Sequence, residues 1–130
     1  MVRVEMTIYV DTHVLVWIVR GDGHRVSTEA RRALDGGDPV VSPAAVLEFE
    51  YLHEIGRVKI SSERMIASLE ADIGLRVCDL PFRDVVTHAL KEGWTRDPFD
   101  RLIVANAKAA GAPLVTKDEH ILKHYRRAIW

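Results

Sequence analysis

The stretch that decides the fold is residues 6–20, "MTIYVDTHVLVWIVR". Ile8 and Val10 are β-branched and alternate with Thr7 and Tyr9, which suits a short strand, and an acid, Asp11, closes it. The next segment, "THVLVWIVR", turns helical and stops near Gly21 and Gly23. A strand running directly into a helix is the first half of a βα crossover.

The unit repeats along the chain. Ser27 caps "TEARRALDGG", which Gly36 or Gly37 ends, and "PVVS" follows as a second strand. Ser42 and Pro43 open a helix through Ile55, with Gly56 as its stop. Ser61 or Ser62 opens "ERMIASLEADIG", and "LRVCDL" reads as a third strand. A helix over "FRDVVTHALKEG" follows Pro81, and another runs from Asp97 to Gly111. "APLVT" makes a fourth strand, a short helix starts at about Asp118, and a last strand lies near "RRAIW". Strands separated by helices predict an α/β fold in three layers. Its central sheet should be mostly parallel, with about five short strands and helices on both faces. Ligands of such sheets bind beyond the carboxyl ends of the strands, and that is where chemistry is sought.

The bulk properties set limits. A chain of 130 residues with 48% hydrophobic content suits one domain spanning 1–130 with a real core. A net charge of −1 gives no bulk attraction to nucleic acid, so such binding needs a local basic patch. Cys78 is the only cysteine, which excludes an internal disulfide and fits a reducing cytoplasm. Its apolar setting in "LRVCDL" marks it as buried filler rather than a nucleophile. The apolar N-terminal run is broken by Arg3, Glu5, Asp11 and His13, unlike a signal peptide or a membrane span.

Four acids are expected at one edge of this sheet. Asp11 ends the first strand, and Asp118 follows the fourth. Asp97 and Asp100, in "RDPFD" at 96–100, open the helix that leads into the fourth strand. Asp97 is a good N-cap, Pro98 suits the first helical position, and Asp100 sits where a capping-box acid would. Glu48 shares a helix face with Ala44, Ala45, Tyr51, Leu52 and Ile55, so a carboxylate is expected within an apolar face. A buried ion pair with an arginine and a ligand role both fit Glu48, as strand-end capping fits Asp11 and turn capping fits Asp118. Taken together, acids at one edge raise each other's pKa unless a cation is present. An all-oxygen set without a cysteine pair suits Mg²⁺ or Mn²⁺ rather than zinc, and metal-assisted phosphodiester cleavage is the matching chemistry. His120 and His124 have zinc-pair spacing, but Ile121 stands where the zinc-protease pattern needs glutamate.

The order "YVDTHVLVW", "VSPAAVLEFEYLHEIGRV", "RDPFDRLIVANA" and "LVTKDEHI" resembles PIN domain proteins, specifically VapC-type ribonuclease toxins of bacterial toxin–antitoxin pairs. The resemblance spans nearly the whole chain. It implies a metal-dependent endoribonuclease with Asp11, Glu48, Asp100 and Asp118 as the catalytic, metal-holding acids. Asp97 joins that metal set through the "RDPFD" form of the motif, with direct contact left open. Thr12 and Thr116 match supporting hydroxyl positions. Arg96, Arg101, Lys117 and Lys123 are candidates for the RNA backbone, as is the "HYRR" run, although a solvated surface explains such a run equally well. The implied partners are an RNA substrate, a cognate antitoxin and a second copy of the chain in a homodimer, with no membrane. "VLVWIV" and the helix holding Val46 and Phe49 carry more large apolar groups than one buried face needs, and are expected to serve interfaces. Two other readings compete: a PIN-like binding module with weak or no catalysis, and an RNA-processing nuclease outside any toxin–antitoxin pair.

Overall fold

The computed structural model describes residues 6–130, so Arg3 and Glu5 lie outside them. Among the described residues there are five strands: β1 (Met6–Val10), β2 (Gly37–Val41), β3 (Arg76–Val77), β4 (Leu114–Val115) and β5 (Ala128–Ile129). The same residues form seven α-helices: α1 (Thr12–Val19), α2 (Thr28–Asp35), α3 (Pro43–Glu54), α4 (Ser62–Ile73), α5 (Phe82–Ala89), α6 (Pro98–Ala109) and α7 (Glu119–His124). A short 3₁₀ turn at Gly23–Arg25 links α1 to α2. The strand order is β3-β2-β1-β4-β5, and every pairing is parallel.

This is the α/β architecture expected from the alternation of strands and helices. The strands are shorter than their apolar runs, because pairing and not propensity sets their length. Only Arg76 and Val77 of "LRVCDL" are paired, opposite Val40 and Val41. The second strand instead begins earlier than "PVVS". Gly37 pairs with Met6, and a Cβ there would meet Ile8 Cγ2 at 2.8 Å, so the strand can start at this position only because it is glycine.

On β1, Ile8, Tyr9 and Val10 are all buried, although neighbours on a strand point to opposite faces. The central strand is therefore covered on both sides, as crossover helices require. α2 packs on β2, β4 and β5, while α3 contacts α1, α4 and α6. The core joins Leu15, Phe49, Met65, Leu69, Ile103, Leu114 and Ile121 with the strand residues.

Two expected interface segments belong to this core. Val14, Leu15 and Val16 of "VLVWIV" are buried, and Trp17, Ile18 and Val19 are half-buried against the core, so burial within the fold accounts for them. Phe49 is fully buried and Val46 is half-buried. The exposed apolar residues of α3 are Leu47, Tyr51 and, past its end, Ile55. The expected face was turned by one residue: Ala45, Phe49 and the half-buried Leu52 point inward, and Glu48 stands at their margin.

Candidate active site

The strand order reverses direction at β1, whose neighbours are β2 and β4. β1 and β4 both end at this switch point, in register, with Tyr9 opposite Leu114 and Val10 opposite Val115. The residues just beyond, Asp11 and Thr116, are thereby brought side by side. The Thr116 hydroxyl donates to Asp11 Oδ2 at 2.7 Å, across 105 residues of chain. Asp11 Oδ1 accepts from the Thr12 backbone N–H at 2.8 Å. Both carboxylate oxygens are thus oriented, and Asp11 also caps α1. The Thr116 hydroxyl in turn accepts from the Asp118 N–H at 3.0 Å, and Asp118 Oδ1 caps α7 through the Ile121 N–H at 3.0 Å.

Asp97 caps α6. Its Oδ1 accepts from the N–H groups of Phe99 at 2.8 Å and Asp100 at 3.3 Å. The reciprocal half of a capping box does not form, because the Asp97 N–H donates to Thr95 Oγ1 at 3.2 Å. The Asp100 carboxyl is left free of the capping role that its position suggested. Glu48 approaches from α3, whose fit against α6 includes an edge-on contact of Tyr51 with Phe99 at 5.5 Å.

The electrostatics identify which acids meet. Asp100 is pushed up to about 7, first by burial and then by the negative charges of Asp97, Asp11, Asp118 and Glu48. Glu48 is raised by burial and by Asp11 and Asp97, against the lowering effect of the Thr12 hydroxyl and His13. Asp11 is raised chiefly by burial, with Asp118 adding to it and the bonds from Thr116 and Thr12 opposing it. All five expected acids therefore share one field at the carboxyl edge of the sheet. The N-termini of α1 and α6 lie at the same edge and offset part of that charge.

The donors present fit a hard divalent cation: they are oxygens, and they repel one another without one. The Thr12 hydroxyl is buried beside Glu48 yet has no hydrogen bond of full geometry, so a polar atom inside the site is left without a partner. Among the described residues, no three His, Cys, Asp or Glu side chains close into a ready cage for a metal.

The basic candidates are more scattered. Arg96 is exposed before α6, and Arg101 spends its Nε–H on the Thr95 carbonyl at 2.7 Å. The Lys117 ammonium lies over the Trp17 ring, 5.7 Å from its centre, and Lys123 is exposed on α7. Two buried polar groups escaped the sequence reading. Glu92 is 2% exposed, paired with Lys108, and accepts from Trp94 Nε1 at 2.5 Å. Asn106 donates to Cys78 Sγ at 3.0 Å and to the Tyr9 hydroxyl at 3.3 Å, so Cys78 is buried as expected but is also bonded. The apolar flanks of "RLIVANAKAA" hid Asn106, and its position on the inner face of the helix was the available signal.

Residues 8–127 match the family described as PIN domain. Ribonuclease VapC22 of Mycobacterium tuberculosis is 28% identical over 124 residues, covering 91% of this chain and 92% of that protein. VapBC2 from Rickettsia felis, in a structure bound to a DNA fragment from its promoter, superposes with a TM-score of 0.66 at 16% identity. That match covers 95% of this chain and 96% of the other. VapBC-1 from nontypeable Haemophilus influenzae gives 0.61 at 16% identity, over 94% and 92% of the two chains. The structural likenesses show a shared fold, and the sequence match spans the elements that carry the acids: this chain belongs to the PIN domain family and is related to the VapC ribonucleases.

Proposed function

We propose that the protein is a single-domain, Mg²⁺- or Mn²⁺-dependent endoribonuclease of the VapC toxin type, held inactive by a cognate antitoxin. The observation that carries this reading is the convergence of Asp11, Glu48, Asp97, Asp100 and Asp118 at the switch point, where burial and then the neighbouring acids lift Asp100 to about 7. Asp11, Glu48, Asp100 and Asp118 would hold the cation, and Asp97 adds charge beside them through the oxygen not used for capping. When bound, the cation would promote attack of water on a phosphodiester and offset the charge that builds on the phosphate oxygens.

The chain's own groups do the rest. Thr116 fixes the Asp11 carboxylate and the Asp118 backbone with one hydroxyl, so the two strand-end acids keep a constant relation. Asp100 and Glu48 make no such bonds and can adjust to the ion and the strand. No side chain is placed as a covalent nucleophile, so the proton-handling groups are these carboxylates. Arg96, Arg101, Lys117 and Lys123 lie on the elements bordering the acids and would meet backbone phosphates.

The antitoxin reading rests on surface as well as on the VapBC relatives. Tyr51 is 47% exposed and Ile55 67% exposed on the same helix as Glu48. A partner segment lying on them would bring an Arg or Lys within reach of the acids, where charge-assisted bonds would replace the cation. The chain would also form a homodimer.

The deciding experiment is cleavage of RNA by the purified protein with Mg²⁺ or Mn²⁺. Activity should vanish in EDTA and should not return with Ca²⁺. Full cleavage in excess chelator would sink the reading.

A further inference from the structure

A cleft of about 590 Å³ lies at the other end of the molecule, lined by Lys108, His124, Tyr125, Arg126 and Arg127. Its position follows from the topology. α6 starts at the acids and ends near Lys108, and α7 starts at Asp118 and ends at His124. Arg126 and Arg127 immediately precede β5, which is parallel to β4, so they sit at the amino edge of the sheet. Asp100 and Lys108 are eight residues apart on α6, about 12 Å along its axis.

The cleft is built rather than incidental. Lys108 is anchored by the buried Glu92 and lies over the Tyr125 ring, 5.6 Å from its centre. Tyr125 bonds the Ala112 carbonyl, and Arg127 bonds the Gly111 carbonyl. The His124 ring stacks on Trp94, with centres 4.7 Å apart and planes within 5°. Glu92 offsets Lys108, and the charge of Arg126 and Arg127 has no acid among the lining residues to meet it. The exposed side chains of Lys117, His120 and Lys123 lead along α7 from the acids toward this cleft. Arg101 and Lys108, seven residues apart, share one stripe of α6.

We propose that this cleft is a second phosphate site, which holds the backbone of the RNA strand three to four nucleotides from the scissile bond. That count is the span of about 12 Å divided by about 3.4 Å per stacked nucleotide. The proposal rests on the ribonuclease reading and adds a length requirement to it: short RNA reaches only the acids, and longer RNA engages both sites. The flat Trp94–His124 stack gives an adjoining base an aromatic face.

The test is binding of fluorescein-labelled single-stranded RNA, with Ca²⁺ in place of Mg²⁺ to prevent cleavage. One oligonucleotide of about two nucleotides covers the acid edge alone, and one of about eight spans both sites at about 3.4 Å per nucleotide. Wild type should bind the longer one several-fold more tightly. Arg126→Glu, at an exposed side chain, should erase that advantage and leave the short affinity unchanged. Arg126→Ala should lower the salt slope for the longer RNA by about 0.7, the value of one phosphate contact on a single strand. The Trp94 indole N–H resonance should move with the long RNA and not with the short one. Equal binding of the long RNA by wild type and Arg126→Glu would overturn the second site and leave the ribonuclease reading standing. Failure of wild type to bind either length would overturn both. Arg126-dependent binding of an oligoglutamate peptide, without the length effect for RNA, would assign the cleft to an acidic protein segment and overturn the proposal.

Discussion

Asp97 and Asp100 occupy one helical turn and do different work. Asp97 spends an oxygen on two backbone N–H groups, whereas Asp100 has burial and four like charges against it. Asp100→Asn should therefore abolish cleavage and raise the melting temperature of the metal-free protein by a few degrees. Asp97→Asn should keep most of the activity and stability, since asparagine also caps. Equal loss of cleavage in the two variants would show that the roles are misassigned. Burial and that repulsion together give a pH dependence. The folded-state pKa of Asp100 is raised from 3.8 to about 7, so the native state keeps a proton that the unfolded chain has already released. Its stability contribution is complete below 3.8 and is lost as pH rises through about 7. In chelator, urea midpoints should fall across that window, and saturating Mg²⁺ should flatten the decline. A midpoint that rises over the same range would refute it. Thr116→Val removes a buried hydroxyl from Asp11 Oδ2 and the Asp118 N–H, at a cost of about 1–3 kcal/mol. Thr116→Ser should restore both stability and cleavage, and failure of that rescue would point to the lost methyl group instead.

At the scale of elements, local chemistry was readable and pairing was not. Ser27, Ser42, Ser61, Asp97 and Asp118 cap the helices they were expected to cap, because each cap needs only its own turn. The acids could be placed at one edge because a strand end and a helix start are both local signals. The inward face of α3 was misjudged because Glu48 and Phe49 have nearly the same apolar neighbours, and only its packing against α1, α4 and α6 settles the rotation. The bonds among Tyr9, Cys78 and Asn106 were invisible for a related reason: the partners are 69, 97 and 28 residues apart. The correction changes the useful variants. Phe49→Ala should cost about 3–5 kcal/mol, as a large core truncation does, and cannot report on a binding surface. Ile55→Glu should leave the melting temperature nearly unchanged and weaken capture of the antitoxin in a pull-down. Undiminished capture would place the antitoxin elsewhere on the surface.

At the scale of the molecule, the acid edge and the basic cleft lie at opposite ends of α6, so the protein is electrically polar although its net charge is only −1. Light scattering at micromolar concentration should give the mass of a dimer, and a monomer there would remove the homodimer from the proposal. No helix among the described residues is long and apolar enough to cross a membrane. The central strand carries a consequence for timing. Asp11 is made early, but the strand that completes its environment, and the hydroxyl that fixes its carboxylate, come 105 residues later. During synthesis, then, the ribosome holds an unfinished chain whose acids have not yet met. The acid edge is therefore complete only once residues 116–118 have joined the fold, and until then Asp11 waits without the hydroxyl that orients it.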